Sequence, residues 1–235
     1  MTVFELTAAE TDALLLSLRV GLVSTALSLP PALAIATLLA RHDFPGKSLV
    51  DGMVHLPLVL PPVVVGYVLL LLLGTRGPIG AWLQETFGIV VAFRWTGAAI
   101  AAAIMSFPLV VRAIRLSLEA MDRRLESAAS TLGASRLWIF LTITLPLTLP
   151  GVLCGAILGF ARSLGEFGAT ITFVSNIPGE TRTLPIAIYT LTQMPGRENA
   201  ALRLVALSIA LSMGALLASE LLARRINGRL QGRDA

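Results

Sequence analysis

The stretch that decides the fold runs from residue 125 to residue 150, LESAASTLGASRLWIFLTITLPLTLP. Its first part places apolar residues at i, i+3, i+4 and i+7, which is one stripe of a helix about two turns long. These residues are Leu125, Ala128, Ala129 and Leu132. Gly133 predicts a left-handed C-terminal cap for this helix, and Ser135 predicts the N-cap of a second helix. An uncharged stretch then covers residues 137–161, so a short amphipathic helix is expected at the foot of a membrane span.

The composition is that of a polytopic all-α membrane protein. Of 235 residues, 55% are hydrophobic and 14% are charged, whereas soluble domains carry about 25% charged residues. The net charge of +4 does not indicate nucleic-acid binding, because the arginines flank apolar runs and do not interleave with aromatic residues. Cys154 is the single cysteine, and no Cys or carboxylate is spaced around His42 or His55 to ligate zinc. Neither a disulfide nor a metal site is therefore expected.

Five membrane spans are expected, and six remain an alternative. A span needs about 20 apolar residues, and the candidate runs are residues 13–40, 54–74, 95–111, about 147–164 and about 204–223. The N-terminus carries Glu5, Glu10 and Asp12, where a cleavable signal would be basic. The first apolar run is therefore expected to be retained as a span.

Prolines interrupt two of these runs. Pro30 and Pro31 are expected to bend or break the first span. In the second span, Pro57 and the pair Pro61 and Pro62 are expected to prevent a regular helix in its first half. Both a wall of a transport pathway and a packing kink remain open as roles for the prolines of the second span.

Shorter elements are expected between the spans. A short helix is predicted around residues 82–87. Residues 165–199 contain two uncharged pieces, 167–179 and 183–196, that are too short to cross a membrane. They are expected to form half-helices or re-entrant elements.

The basic residues predict the orientation. With five spans, the presumed inner segments carry Arg41, Lys47, Arg112, Arg115, Arg123, Arg124, Arg136, Arg224, Arg225, Arg229 and Arg233. The presumed outer segments carry only Arg76, Arg94, Arg182, Arg197 and Arg203. Because positive residues are enriched on the cytoplasmic side, the N-terminus is expected outside and the C-terminus inside. The amphipathic helix is then cytoplasmic.

The opening stretch also resembles the "EAA" loop of permeases of ATP-binding-cassette (ABC) importers, in which an E-A-A run precedes a glycine and then I-x-L-P. The matching residues are Glu126, Ala128, Ala129, Gly133, Ile143, Leu145 and Pro146. Glu126 lies one residue earlier than the strict pattern, and Ser127 occupies its slot. The resemblance implies the type I importer permease fold, with one permease domain over residues 1–235 and a coupling loop over about 121–146 that docks on an ATPase.

The same resemblance implies partners. It implies a homodimer of this chain in the lipid bilayer, ATP-hydrolysing subunits on the cytoplasmic side and a periplasmic binding protein. The sequence lacks the Walker A pattern G-x-x-x-x-G-K-[ST]. ATP and Mg²⁺ are therefore expected on the partner ATPase, and this chain is expected to bind no cofactor and to be a transport subunit and not an enzyme.

Longer stretches resemble the molybdate permeases of this family. They are HLPLVLPPVVVGY (55–67), MSFPLVVRAIRLSL (105–118), TITLPLTLPG (142–151) and FARSLGEFGATITFVSNIPGETRT (160–183). The resemblance implies import of molybdate across the bacterial inner membrane by alternating access, with tungstate as a further candidate substrate. Sulfate permeases share the looser G-E-[FY]-G core at residues 165–168, so a sulfate or thiosulfate permease remains the alternative.

Two other classes of function fit the sequence less well. An intramembrane protease needs a Ser–His pair, an Asp pair or an H-E-x-x-H helix within its spans, and the spans show none. A secondary transporter normally carries ionisable relay residues at mid-membrane and an internal repeat, and neither is visible.

A second group of residues is suited to an anion pathway or its gate. A tetrahedral dianion needs N–H or hydroxyl donors or arginines along its path. The candidates are Arg162, Ser163, Gly165, Glu166, Gly168, Thr170, Pro61 and Pro62. Arg162 and Glu166 are four residues apart, which favours an internal ion pair over a direct anion contact. Arg19, in the first span, is expected to snorkel or to pair.

Overall fold

The computed structural model describes residues 6–230, and the side chains of all of these except 219 and 222–230. Glu5 and Arg233 lie outside the described residues. The helices are α1 Ala8–Arg41, α2 Lys47–Val59, α3 Pro62–Leu73, α4 Pro78–Phe87, α5 Trp95–Ala120, α6 Arg124–Thr131, α7 Arg136–Ile139, α8 Leu145–Leu164, α9 Gly168–Val174, α10 Leu184–Thr192 and α11 Glu198–Leu230. A π-helical segment, Phe140–Thr144, joins α7 to α8.

Within this part of the chain, four helical stretches are long and apolar enough to cross a membrane. They are Ala8–Arg41, Trp95–Ala120, Arg136–Leu164 and Glu198–Ala218. The pair α2 and α3 passes the same test together but is bent by 111°, so it is either a fifth, broken span or a re-entrant element. The predicted all-helical membrane architecture is confirmed, and α9 and α10 are as short as predicted.

Pro30 and Pro31 do not break the first span, so that part of the prediction is wrong. Both prolines lie inside α1, which is 34 residues long. The turns before the prolines are held by hydroxyl groups, since Thr25 donates to the Gly21 carbonyl at 2.8 Å and Ser28 to the Ser24 carbonyl at 2.7 Å. Neighbouring helices and such hydroxyls allow a membrane helix to tolerate proline.

The prediction that the first half of the second run is not a regular helix is confirmed, but the break falls at Pro61 and not at Pro57. Helix α2 is regular from Lys47 to Val59 and includes Pro57, whose ring removes one hydrogen bond from a helix that continues on both sides. The break falls at Leu60 and Pro61, where the backbone is extended. Pro62 begins α3, a position at which the missing N–H has no helical partner to lose.

Two spans are longer than predicted. Helix α5 continues nine residues beyond 111, so Arg112 and Arg115 lie on this helix and not in the loop around α6. The fourth span begins at Arg136, because α7, the π segment and α8 form one helical stretch. The Leu145 N–H donates to the Phe140 carbonyl in the π register, immediately before Pro146. Pro146 and Pro150 therefore lie inside this stretch and do not flank its start.

The centre of the molecule is a close contact between α1, α5 and α8. Small residues permit it: Ala98, Ala101 and Ala102 of α5 are fully or almost fully buried. A Cβ atom added at Gly151 of α8 would lie 2.3 Å from the Ser117 Cβ atom. This packed bundle carries the α6–α7 turn at one end and the α8–α9 turn at the other.

Candidate coupling surface and translocation pathway

The turn between α6 and α7 has the local geometry that the sequence predicts. Gly133 has φ +83°, and the Gly133 N–H donates to the Ser130 carbonyl at 3.0 Å while the Ala134 N–H donates to the Ala129 carbonyl at 3.1 Å. These two bonds form a Schellman cap. The Ser135 hydroxyl accepts from the Trp138 N–H at 3.3 Å and caps α7. The turn therefore presents a fixed corner between α6 and the helix that continues into α8.

The outer side of this corner is apolar and exposed. Leu132 is 88% exposed, and Leu125, Leu137 and Trp138 are about half exposed or more. A cleft of about 650 Å³ is lined by Ala129, Leu132, Gly133, Ala134, Ser135, Trp138 and Ile143. Ala128 and Pro146 are exposed as well. Exposed apolar side chains on an otherwise polar helix mark an interaction surface; we call this set the coupling surface.

Glu126 is on the inner side of α6 and not on the coupling surface. Its Oε1 atom lies 3.0 Å from Nη2 of Arg41 and accepts from the Thr144 hydroxyl at 2.7 Å. Arg123 adds a second link, since its Nη2 atom donates to the Ala40 carbonyl at 2.7 Å. Helix α6 is thus attached to the C-terminal end of α1 and to the π segment.

The candidate pathway residues centre on the turn between α8 and α9. Arg162 Nη1 lies 2.7 Å from Glu166 Oε2, and the Glu166 side chain is 2% exposed. The other oxygen of Glu166 accepts from the Ala169 N–H at 2.9 Å. The ion pair predicted from the four-residue spacing is therefore present, and the same carboxylate fixes the first turn of α9.

The structure brings some of the other candidates to this turn and separates the rest from it. A Cβ atom at Gly168 would lie 2.8 Å from the Pro62 Cβ atom, so α9 packs directly on the start of α3. Pro61 and Gly165 are exposed. Ser163 is buried against α1, where its hydroxyl accepts from the Ser24 hydroxyl at 2.9 Å, and Thr170 is 1% exposed. In this conformation Ser163 and Thr170 face packed helices.

Several polar contacts were not predicted because their partners are distant in sequence. Arg203 of α11 pairs with Glu10 of α1 at 2.9 Å. The Arg19 guanidinium lies 3.7 Å from the centroid of a Trp95 ring. Pairing was one expectation for Arg19, but its partner was not predicted. Arg115 pairs with Asp51 at 2.9 Å. The sequence shows the charges but gives no signal for which of them meet.

A helical membrane bundle that exposes an apolar corner between two helices is what the resemblance to permease subunits of ABC importers implies. The chain belongs to the family of binding-protein-dependent transport system inner membrane components, whose model matches residues 32–228. It is a multi-pass membrane component of an ABC importer and is not itself catalytic. ATPase and binding-protein partners follow from membership in this class.

Particular relatives extend this likeness over nearly the whole chain. The molybdenum transport system permease protein ModB of Escherichia coli (strain K12) is 63% identical over 219 residues, which are 93% of this chain and 96% of the relative. The sulfate transport system permease protein CysT of the same organism is 41% identical over 157 residues, 67% of this chain and 56% of CysT. A solved structure of a bacterial ABC transporter involved in the import of alginate has a TM-score of 0.75 at 17% identity, covering 96% of this chain and 82% of that one. This last likeness concerns the fold alone.

Proposed function

We propose that this chain is the membrane-spanning permease of a bacterial inner-membrane importer of molybdate, with tungstate as a second substrate. The observation that carries the proposal is the near full-length identity to a molybdenum permease, because the sulfate permease of the same organism is much less similar and matches a shorter part. Molybdate and tungstate have nearly the same size and charge, so the permease is not expected to separate them. In this proposal the chain binds no cofactor, and the partner ATPase binds Mg²⁺ and hydrolyses ATP.

The proposed assembly is a homodimer of this permease domain, residues 1–235, with a cytoplasmic ATPase of the ModC type and a periplasmic binding protein of the ModA type. The coupling loop, about residues 121–146, docks on the ATPase. The length of α1 supports placing the ATPase and the binding protein on opposite sides of the membrane. Glu10 and Arg41 are separated by 31 residues of helix, or roughly 46 Å at 1.5 Å per residue, which exceeds a hydrocarbon core of about 30 Å. The coupling surface is at the cytoplasmic end, with the N-terminus outside.

The proposed coupling runs through the inner side of α6. When the ATPases close on ATP, they displace the coupling surface. The residues proposed for coupling are Glu126, Ala128, Ala129, Gly133, Ile143 and Pro146. Because the Glu126 carboxylate contacts both Arg41 and Thr144, displacement of α6 acts on α1 and on the helix that becomes α8. These helices then carry the change from the inward-facing to the outward-facing state.

The proposed gate is the turn between α8 and α9. The Arg162–Glu166 pair ties the end of α8 to the turn that follows it. Gly168, at the start of α9, packs against Pro62 of α3. The glutamate would repel an oxyanion, so its role is to fix the gate and not to bind the substrate. Ser163, Gly165, Thr170 and Pro61 are proposed as neighbours of the gate that change their contacts when it opens.

Uptake in cells tests the substrate directly. A strain that lacks its own molybdate permease is supplied with this chain and its ATPase and binding protein, and uptake of radioactive molybdate is measured with tungstate or sulfate as competitor. Competition by tungstate and not by sulfate is expected. Sulfate uptake in place of molybdate uptake would contradict the proposal and favour the sulfate permease. A Gly133→Asp chain serves as the uncoupled control.

A further inference from the structure

A cavity with both arginine and apolar side chains in its lining lies at the end of the molecule opposite the coupling surface. It has a volume of about 220 Å³ and is formed where the N-terminal end of α1 meets α10 and the start of α11. Its lining includes Arg182, Arg197, Arg203, Glu10, Thr7 and Thr190. Three arginines at one cavity bring several hydrogen-bond donors and positive charge together at this end of the bundle.

Arg182 is oriented by a chain of side-chain hydrogen bonds. Its Nε donates to Asn176 Oδ1 at 2.7 Å, and Asn176 Nδ2 donates to the Thr190 hydroxyl at 2.9 Å. The Thr190 hydroxyl in turn donates to the Ile186 carbonyl at 2.7 Å. The terminal nitrogens of Arg182 make no hydrogen bond to a described residue, so the fork that binds an oxyanion is positioned and free.

Arg203 is fixed on the opposite side of the cavity. Its Nη2 atom donates to Glu10 Oε1 at 2.9 Å, while its Nε is buried with no hydrogen-bond partner among the described residues. Glu10 is itself held by the Thr7 backbone N–H at 2.7 Å. A buried N–H without a partner is rare in a native protein and calls for a ligand or a water molecule.

The charge and size of the cavity fit one small dianion. The three arginines and Glu10 leave two net positive charges in the lining. Glu198, which follows Arg197 in sequence, is not among the lining residues, and its carboxylate accepts from the Gly196 N–H at 3.2 Å. The volume corresponds to roughly seven water molecules at about 30 Å³ each. A nucleotide or an oligosaccharide is too large for this space.

We propose that this cavity is an outer oxyanion site, at which the chain binds a tetrahedral dianion delivered on the periplasmic side. The inference rests on the proposed function for its orientation and for the identity of the anion. The site gives the permease a binding step of its own, before the gate, that is separate from selection by the binding protein. Its arginines act as hydrogen-bond donors and as the charge that attracts the anion.

Equilibrium binding to the intact permease–ATPase complex in lipid nanodiscs, without binding protein, tests the site. Radioactive molybdate is the probe, and tungstate and sulfate are competitors. Arg182→Gln and Arg197→Gln are each expected to weaken binding about tenfold, as the loss of one charged hydrogen bond does. Arg182→Lys keeps the charge and should retain most of the affinity. Arg76→Gln, which removes an exposed arginine of the outer segments away from the cavity, is the matched control and should bind as the unaltered chain does.

Each outcome decides the proposal. The site is overturned if the unaltered complex binds none of the three oxyanions, or if Arg182→Gln and Arg197→Gln bind molybdate as tightly as Arg76→Gln does. It is also overturned if, in a separate measurement with binding protein added, these two variants lose docking of that protein while their binding of molybdate is unchanged, because the arginines would then contact an acidic protein surface. If sulfate alone binds and the variants reduce its binding, the site stands and the molybdate assignment falls.

Discussion

Arg41, the last residue of α1, lies 3.0 Å from the carboxylate of Glu126, and the same carboxylate oxygen accepts the Thr144 hydroxyl at 2.7 Å. One side chain of α6 therefore contacts two membrane helices. The Arg41 side chain is 11% exposed and that of Glu126 is 25% exposed, so this pair is screened by solvent less than a surface ion pair is. This arrangement attaches α6 to the bundle through side-chain contacts, although no residue of α6 is itself buried.

Replacing Glu126 by Gln should uncouple ATP hydrolysis from transport. The amide keeps the shape but removes the charge that faces Arg41, at an expected cost of about 1–3 kcal/mol in the attachment of α6. A loss of about 1 kcal/mol lowers the equilibrium constant for this attachment roughly fivefold, and the molybdate transported per ATP hydrolysed, measured in proteoliposomes, should fall. Glu85→Gln, at an exposed position of α4, should leave the ratio unchanged. An equal fall in both variants would show that the contact between Glu126 and Arg41 does not couple ATP hydrolysis to transport.

Substitutions of Gly133 should weaken ATPase docking in a graded series. No atom lies within 4 Å of an added Cβ atom, so the strain comes from the backbone at φ +83°. Ala is expected to cost about 1–2 kcal/mol at this conformation, Asn less because it tolerates left-handed backbone, and Asp additionally places a charge at the apolar cleft. Co-purification of the ATPase with tagged permease should fall in the order Gly, Asn, Ala, Asp.

The matched control for this series is Gly52→Ala. It also adds a Cβ atom into open space, but inside α2 at a helical conformation, where Ala is favoured over Gly. Normal ATPase recovery with Gly133→Asp would remove the α6–α7 turn from the docking surface.

Arg162 and Glu166 should behave as a pair. Either single change to Gln leaves one charge at the α8–α9 turn without its partner and should reduce transport strongly, whereas the double change removes both charges and should recover part of the activity. Uptake by the four chains is compared at equal expression. If Arg162 instead contacts the anion, Arg162→Gln will abolish uptake whether or not Glu166 is also changed.

Gly66→Ala should disrupt the contact between α3 and α9. The added Cβ atom would lie 2.4 Å from the Ala169 carbonyl oxygen and 2.9 Å from Thr172 Cβ, an overpacking expected to destabilise by about 1–3 kcal/mol or more. The melting temperature of the detergent-solubilised complex is expected to fall. Gly214→Ala, which meets no atom within 4 Å, should not lower it. Equal melting temperatures would mean that α3 and α9 are not packed in this way.

The sequence predicts the local features of this protein well. Gly133 and Ser135 mark the α6–α7 turn because a left-handed cap and an N-cap depend on neighbouring residues only. The Arg162–Glu166 pair is predicted from its four-residue spacing, although Glu166 lies in the turn beyond the end of α8. The coupling residues are recognisable from a motif within one stretch, although their role in docking is a proposal.

Contacts between distant elements could not be predicted in the same way. Glu126 and Arg41 are 85 positions apart, and nothing in either segment identifies the other. Pro57 illustrates a different difficulty. A proline removes one hydrogen bond, but whether the helix ends there depends on the packing of its neighbours. Ser163 and Thr170 look like donors for an anion, and their burial against other helices depends on the packing of the whole bundle.

The stimulation of ATP hydrolysis by loaded binding protein tests the central claim most directly. The permease is reconstituted with its ATPase in liposomes, and phosphate release is measured with binding protein loaded with molybdate, tungstate or sulfate. We expect stimulation by the molybdate and tungstate forms and none by the sulfate form. Stimulation by the sulfate form alone would contradict the molybdate assignment, and absence of stimulation by all three would contradict an oxyanion importer.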